Sequence, residues 1–223
     1  MKQQLRRHDL INALIRKHNY TKYLEIGIAD PCGNFDLINC AYKRGVDPRP
    51  YSMRHGIIPI TSDEFFKNST EKFDIIFIDG LHQEHQVTND IINSLTCLNE
   101  GGIILTHDNL PETENHMAET QVEAAWFGTG WKSVAKLRMS IRSLSICVLD
   151  IDCGVAVIEQ GSQELFTKNI GPLRYSTYML SRIELLNVVP IKNFISSRGL
   201  DIDINNYDMW SGSPFKNKIT VNP

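Results

Sequence analysis

The chain has 223 residues and a formal net charge of -3, a length that suits one domain and a charge that excludes the basic surface of a nucleic-acid-binding protein. No apolar run approaches the roughly 20 residues of a membrane span, and the charged N-terminus lacks the apolar centre of a signal peptide, so we expect a cytoplasmic protein with no membrane partner. The five cysteines are scattered and odd in number, which favours neither a disulfide framework nor a zinc site.

The first half of the chain alternates predicted helices with short apolar strands. Apolar residues at near-helical spacing predict helices over 4–18 and 87–98, and Ser62 is a candidate N-cap for a further helix. Because the strands are apolar on both faces and alternate with helices, the pattern predicts a parallel sheet covered on both sides. The predicted strands are 22–28, 43–47, 56–61, 73–79 and 101–108.

The second half of the chain predicts how this sheet ends. The polar stretch 112–127 and the segment 131–139 are both predicted to be helical. Two β-rich runs, "SLSICVLDI" and "GVAVIEQ", are separated by little more than the pair "DC". Such runs form a hairpin, so one of them must be antiparallel to the other strands. The predicted fold is therefore α/β, with a doubly wound, mostly parallel sheet that includes one reversed strand.

We predict one domain with an appended C-terminal part. Residues 1–160 form the core with its N-terminal helix, and residues 161–223 form a helical extension and a polar tail of the same domain. The long tail is also a candidate surface for forming a homodimer.

Polar side chains concentrate where the predicted strands end. In open α/β sheets, ligands bind beyond the carboxyl ends of the strands, near the point where the strand order reverses. Gly27 would let the backbone turn tightly against a ligand, and Asp47, at the end of the second strand, suits a bidentate hydrogen bond to a ribose diol. The residues at these strand ends are Glu25, Gly27, Asp47, Thr61 to Asp63, Asp79 to His82 and His107 to Asn109.

The loop after the first strand indicates which nucleoside ligand is favoured. A dinucleotide-binding loop follows the pattern G-x-G-x-x-G, whereas this loop reads "GIADPCG". Asp30 and Pro31 stand where a pyrophosphate would need open backbone, which disfavours pyrophosphate binding. A nucleoside that carries an amino acid end instead of phosphates fits better, and S-adenosylmethionine is such a ligand.

Two of the candidate acids also have structural interpretations. Asp47 precedes Pro48, and aspartate favours turns, so it could serve only to end its strand. Glu25 lies near the end of its strand and could be a buried hydrogen-bond acceptor. Both interpretations stay open beside the binding roles.

Asp79 and His82 are the candidates for the reacting end of the site. Asp79 ends the most apolar strand of the chain and is followed by Gly80, so it should be presented at the edge of the sheet. His82 has a side chain whose ordinary pKa lies near neutrality, which suits a general base, although it could instead be bonded to the backbone at a helix start. Trp126 and Trp131 could belong to the core or form the wall of an acceptor pocket.

The blocks "YLEIGIADPCGNFDLI", "KRGVDP", "FDIIFIDGLHQEH" and "GGIILTHDNLP" resemble the class I S-adenosylmethionine-dependent methyltransferases, over roughly residues 20 to 195. More narrowly, they resemble the branch associated with surface-polysaccharide and sugar O-methylation. The resemblance implies a seven-stranded Rossmann-like sheet with a C-terminal antiparallel strand, S-adenosylmethionine as cofactor, and a small-molecule or saccharide acceptor. The loop Asp30 to Gly33 departs from the usual glycine pattern. The implied positions are Glu25 and Gly27 at the methionine side, Asp47 at the ribose, Ser62 and Asp63 near the adenine, and Asp79 between cofactor and acceptor.

Asp79, Asp108 and Asn109 resemble the pattern that holds Mg²⁺ in metal-assisted O-methyltransferases. All three side chains offer hard oxygen ligands, which suit Mg²⁺ better than zinc. The alternative is that Asp108 and Asn109, which precede Leu110 and Pro111, form only a turn.

The sequence therefore predicts transfer of a methyl group to a hydroxyl oxygen, with His82 or Asp79 receiving the proton. Two alternatives stay open. One is a metal-dependent hydrolase that uses Asp79, His82, His107 and Asp108 around one ion, and the other is a nucleoside-binding scaffold without catalytic activity.

Overall fold

An eight-stranded sheet organises the fold in a computed structural model that describes residues 2–208 and 210–214. The strands are β1 (Gln3–Gln4), β2 (Lys22–Ile26), β3 (Tyr42–Val46), β4 (Ile57–Ile58), β5 (Phe73–Ile78), β6 (Leu98–Thr106), β7 (Leu144–Leu149), β8 (Val155–Gln160), β9 (Val188–Val189) and β10 (Tyr207–Asp208). The helices are α1 (Arg7–His18), α2 (Ser62–Asn68), α3 (Glu84–Cys97), α4 (Trp131–Ser140), α5 (Tyr175–Leu185) and α6 (Ile191–Arg198).

The order of strands in the large sheet is β4-β3-β2-β5-β6-β8-β7-β9. Only β8 runs against its neighbours β6 and β7 in this sheet as described, which confirms the predicted α/β fold with one reversed strand. That strand lies inside the sheet, and the two-residue strand β9 adds an eighth member beside β7. The chain runs outward from β2 to β4 and then returns to β5 on the other side of β2, so the strand order reverses between β2 and β5. Strands β1 and β10 form a separate parallel pair.

Apolar layers cover both faces of the sheet. Side chains alternate along a strand, so Leu24 and Ile26 of β2 join the core under α3, α4 and α5, whereas Tyr23 joins the core under α1 and α6. Burial on both faces explains why the central strand β5 is apolar at every position except Asp74 instead of alternating with polar residues. Within the described residues, none of the helices has the length and apolar character that a membrane span needs.

Two local predictions are wrong. The stretch 112–127 contains turns and bends in place of a helix, because only Met117 and Phe127 of it are buried and no continuous apolar face is available to pack. The N-cap of α2 is Thr61, whose hydroxyl accepts the backbone N–H of Glu64 at 3.2 Å, and Ser62 is the first helical residue. The end of the predicted C-terminal extension, residues 215–223, lies outside the described residues.

Candidate active site

A cleft of about 820 Å³ opens beyond the carboxyl ends of β2, β3 and β5, next to the point where the strand order reverses. This is the position at which open α/β sheets bind ligands. Residues that are far apart along the chain therefore share one surface. The predicted site residues that line the cleft are Gly27, Asp47, Ser62, Asp63, Asp79 and His82.

Gly27 allows the ends of β2 and β5 to approach each other. Its φ of 84° is unfavourable for residues with a side chain, and an added Cβ would overlap the backbone oxygen of Asp79 and the Cα of Gly80. The backbone N–H of Asp79 donates to the oxygen of Ile26 at 2.7 Å, which holds the two strand ends together. Glycine is therefore required here to form the floor of the cleft.

Asp47 lines the cleft and also fixes the loops around it. Its Oδ2 accepts the backbone N–H groups of Ile28 and Ala29, each at 2.9 Å, and its Oδ1 accepts that of Arg49 at 2.7 Å. A carboxylate offers about four acceptor positions, so about one is left for a ligand. The predicted bidentate bond to a ribose diol is thus reduced to a single bond in this arrangement.

Glu25 does not line the cleft, contrary to the sequence prediction. It lies inside β2, so its side chain projects onto the face of the sheet that carries Tyr23, and it is only 2% exposed. Tyr23 donates its hydroxyl to the Glu25 carboxyl, and Asn34 donates Nδ2 at 3.0 Å. Burial raises the pKa of Glu25 to about 8, against the opposing effect of these two hydrogen bonds.

Asp79 and His82, which line the cleft, come together with Asp108. The His82 ring lies between the two acids, with Nε2 3.5 Å from Asp79 Oδ1 and Nδ1 3.3 Å from Asp108 Oδ2. One ligand atom of each of the three residues lies within 4.8 Å of the others. The geometry therefore supports either a proton-transfer group or a small cation site.

His107 connects this cluster to two residues from distant parts of the chain. Its Nδ1 lies 3.2 Å from Asp79 Oδ1 and 3.1 Å from Asp108 Oδ1, and its Nε2 lies 3.4 Å from Arg7 Nη1. Arg7 Nη1 in turn donates to Asp152 Oδ2 at 2.9 Å. The N-terminal helix α1 and the turn between β7 and β8 thus help to build the site.

The charged side chains of this cluster shift one another's pKa values. Burial disfavours the ionised form of Asp79, but His107, His82 and Arg7 outweigh it and hold the pKa of Asp79 well below its usual range. Burial also disfavours the imidazolium forms, yet Asp79 and Asp108 raise the pKa of both His82 and His107 above the ordinary value. Asp79 is therefore ionised and a weak proton acceptor, while His82 is the stronger base of the two and its imidazolium form is stabilised.

The backbone and ring of His82 are both held in place by the loop before α4. Its carbonyl accepts the N–H groups of Thr129 at 2.7 Å and Gly130 at 3.1 Å. A Cβ at Gly128 would overlap that same carbonyl. Trp126 stacks on the imidazole with ring centroids 5.3 Å apart, whereas Trp131 is fully buried and belongs to the core.

Two of the three residues that were predicted to hold Mg²⁺, Asp79 and Asp108, lie close enough together to bind one ion. The carboxylates of Asp79 and Asp108 are close together, as described above, and supply hard oxygen ligands. The Asn109 amide donates Nδ2 to the oxygens of Thr106 and His107, and its Oδ1 is buried with no hydrogen-bond partner. An acceptor oxygen in that state is compatible with a bound cation, so the metal assignment stays a prediction.

Sequence reasoning missed Arg7 and Asp152. A signal for the first was available, because cations are unfavourable at the start of a helix, and Arg6 is the N-cap and Arg7 the first residue of this helix. Such a pair requires an acidic partner, and Asp152 accepts hydrogen bonds from both side chains. Asp152 itself gave no signal beyond its place in a predicted turn.

Comparison with known proteins agrees with this arrangement. The model of a family described as a methyltransferase domain matches residues 32–109, which include Asp47, Asp79 and Asp108. No curated protein matches the chain.

The fold is shared with solved methyltransferase structures. An O-methyltransferase from Bacillus cereus in complex with SAH is 13% identical, with a TM-score of 0.51, and the match covers 69% of this chain and 80% of that one. The SAH-bound methyltransferase PaMTH1 from Podospora anserina is 19% identical, with a TM-score of 0.51 and coverage of 70% and 78%. The cofactor-bound Rv0187 from MTB is 12% identical, with a TM-score of 0.53 and coverage of 70% and 80%. The chain therefore shares its fold with these solved structures, and its residues 32–109 match a methyltransferase domain.

Proposed function

We propose that the protein transfers the methyl group of S-adenosylmethionine to a hydroxyl oxygen of a sugar or another hydroxylated small molecule. The observation that supports this is one cleft that joins Gly27 and Asp47 at its nucleoside side to Asp79 and His82 at its reacting end. The solved structure from Bacillus cereus is named as an O-methyltransferase, which agrees with an oxygen acceptor.

The reaction is an in-line displacement at the sulfonium methyl group. The acceptor oxygen forms a bond to the methyl carbon while the carbon–sulfur bond breaks, and the electron pair of that bond stays on sulfur. The products are the methyl ether and S-adenosylhomocysteine. Correct positioning of the two reactants can supply up to about 7 to 11 kcal/mol of the barrier reduction.

His82 is the residue that receives the hydroxyl proton in this proposal. Asp79 is the poorer proton acceptor because its pKa is held below the usual range, whereas His82 in its neutral form is the stronger base. Asp79 therefore orients His82 and stabilises the imidazolium that forms. A divalent cation held by Asp79, Asp108 and Asn109 would lower the pKa of the acceptor hydroxyl.

The two alternatives are not favoured. His82, His107, Asp79 and Asp108 do cluster as a metal-dependent hydrolase would require, but the domain that matches this region is a methyltransferase domain. The scaffold alternative is disfavoured by the charged cluster at the reacting end, since binding a nucleoside alone does not require it. A cytoplasmic location and a homodimer stay predictions from the sequence.

The proposed function is tested by measuring release of S-adenosylhomocysteine across a panel of sugars, polyols and phenols. We expect turnover with at least one hydroxylated acceptor and none with its analogue that lacks the hydroxyl group. Calorimetry with S-adenosylmethionine supplies the binding control. Cofactor binding without turnover on any acceptor would favour the scaffold, and no cofactor binding at all would contradict the proposal.

The cation is tested separately from turnover. Titration of Mg²⁺ into the protein should show binding that is weakened about tenfold or more in Asp108→Asn, because a neutral amide replaces an ionised ligand. Asp36→Asn is the matched control, since Asp36 is a carboxylate paired with Arg54 outside the cluster. Equal binding by all three proteins would exclude Asp108 as a ligand.

A further inference from the structure

A second pocket lies outside the cleft, beside the backbone of His82. Its volume is about 410 Å³, which falls within the range of roughly 300 to 1,000 Å³ that small-molecule sites occupy. Its walls come from the start of α3, the loop before α4 and the first turn of α4. The lining residues are Gln83, Glu84, His85, Glu119, Thr129 and Lys132.

The loop before α4 connects this pocket to the reacting end of the cleft. The backbone N–H of Thr129, a pocket residue, donates to the carbonyl oxygen of His82 at 2.7 Å. Glu119, another pocket residue, directly follows Ala118, whose carbonyl oxygen accepts the indole N–H of Trp126 at 2.7 Å. Trp126 in turn stacks on the His82 ring. The pocket is therefore the space next to an acceptor bound at His82.

Most polar side chains of this pocket are available to a ligand. Among the described residues, four of them make no side-chain hydrogen bond or ion pair within the protein: Gln83, His85, Glu119 and Lys132. They offer an amide, an imidazole, a carboxylate and an ammonium group, so both donors and acceptors face one concave space. The carboxylate of Glu84 is paired with Lys136 and is not available in the same way.

The charges of the pocket favour a neutral ligand with several hydroxyl groups. Glu119 and Lys132 carry opposite charges, so an ionic ligand would be attracted by one of them and repelled by the other. A hydroxyl group avoids this conflict, because it can donate to the carboxylate and accept from the ammonium group. Hydrogen bonds to charged groups are also stronger than those between neutral groups. A sugar ring is a unit of this kind.

We propose that this pocket binds a second sugar unit of the acceptor, next to the unit whose hydroxyl group reaches His82, so that the preferred acceptor is an oligosaccharide and not a single sugar. The proposal rests on the proposed function, because it takes a hydroxylated acceptor at His82. Glu119 and Lys132 then determine the preference for acceptor length and take no part in the methyl transfer.

The test compares acceptors of one and of two sugar units by release of S-adenosylhomocysteine. The probes are the methyl glycosides of glucose, galactose, mannose and rhamnose and the corresponding disaccharides. At least one disaccharide should have a KM about tenfold or more below that of its methyl glycoside, the effect of one added hydrogen bond to a charged group. The double variant Glu119→Ala and Lys132→Ala should lose this advantage, while the KM of the methyl glycoside and the cofactor Kd stay unchanged.

The matched control is the double variant Lys22→Ala and Glu100→Ala, which should keep the advantage. Both residues are exposed and lie near the amino ends of β2 and β6, at the edge of the sheet opposite the cleft. Three results overturn the inference while the proposed function stands: equal KM values for the two lengths, an advantage that persists in the pocket variant, and turnover only of acceptors that are not sugars. Absence of cofactor binding overturns both. If the pocket variant does not fold, Glu119→Ala alone provides the same comparison, because the Glu119 side chain is exposed.

Discussion

Replacing Asp79 with asparagine is expected to lower kcat for methyl transfer by about a thousandfold, the scale on which loss of an acid–base group acts. Asp79 contacts His82 and His107, and both contacts depend on its negative charge. The neutral amide keeps the size of the side chain, so the cleft itself should persist. The measurement is the steady-state rate with S-adenosylmethionine and an accepted hydroxylated substrate.

Asp47→Asn is the matched comparison, because it makes the same chemical change at the other side of the cleft. Asp47 contacts the backbone of the loops after β2 and β3 and no residue of the histidine cluster. We expect this variant to raise the cofactor Kd about tenfold while kcat changes far less. Equal and small effects of the two substitutions would reject the assignment of Asp79 to the reacting end and of Asp47 to the cofactor.

Replacing Glu25 with glutamine is expected to stabilise the protein by about 3 kcal/mol at pH 7. The pKa of Glu25 is raised from 4.5 to about 8 by burial, so the folded protein keeps a proton that the unfolded chain releases. The stabilising contribution of that proton is fully present below pH 4.5 and is lost as the pH rises towards about 8. Glutamine carries no such proton and can still accept the hydrogen bonds of Tyr23 and Asn34.

The measurement is the free energy of unfolding of both proteins in urea between pH 4 and pH 8. The difference between them should be small near pH 4.5 and should grow with pH, which separates Glu25 from other titrating groups. Tyr23→Phe, which removes one hydrogen bond to the same carboxyl, is a control that keeps the glutamate. A difference between Glu25→Gln and the native protein that does not change with pH would contradict the raised pKa.

The parts of the site that follow strand ends could be predicted from the sequence. Asp79 and His82 follow the apolar strand β5 and Asp47 follows β3, and parallel strands bring their carboxyl ends to one edge. The position of Glu25 could not be predicted as easily. It lies one residue before the end of β2, and a strand that is apolar on both faces does not reveal to which face a single acid points.

The arginines at the start of α1 indicate an acidic partner, but that Asp152 is this partner and that Arg7 reaches the site could not be predicted, because nothing local links either residue to the site. Their pairing depends on how α1 packs on the sheet and on the conformation of the turn after β7, where Asp152, Cys153 and Gly154 all have positive φ. Such a turn is specified by tertiary packing as much as by residue type. The helix predicted over 112–127 was wrong for a local reason. The polar composition of this stretch is compatible with a helix, but it provides no apolar face that could pack on the sheet.

The contact between Arg7 and Asp152 spans 145 positions of the chain. A polypeptide emerging from the ribosome therefore carries the arginine long before its acidic partner has been made. Contacts of such sequence separation form late and slowly, because closing the intervening loop costs entropy that only the finished fold repays. A chain that ends before the β7–β8 turn would contain Gly27 and Asp47, but it would lack Asp152, which pairs with Arg7 beside His107.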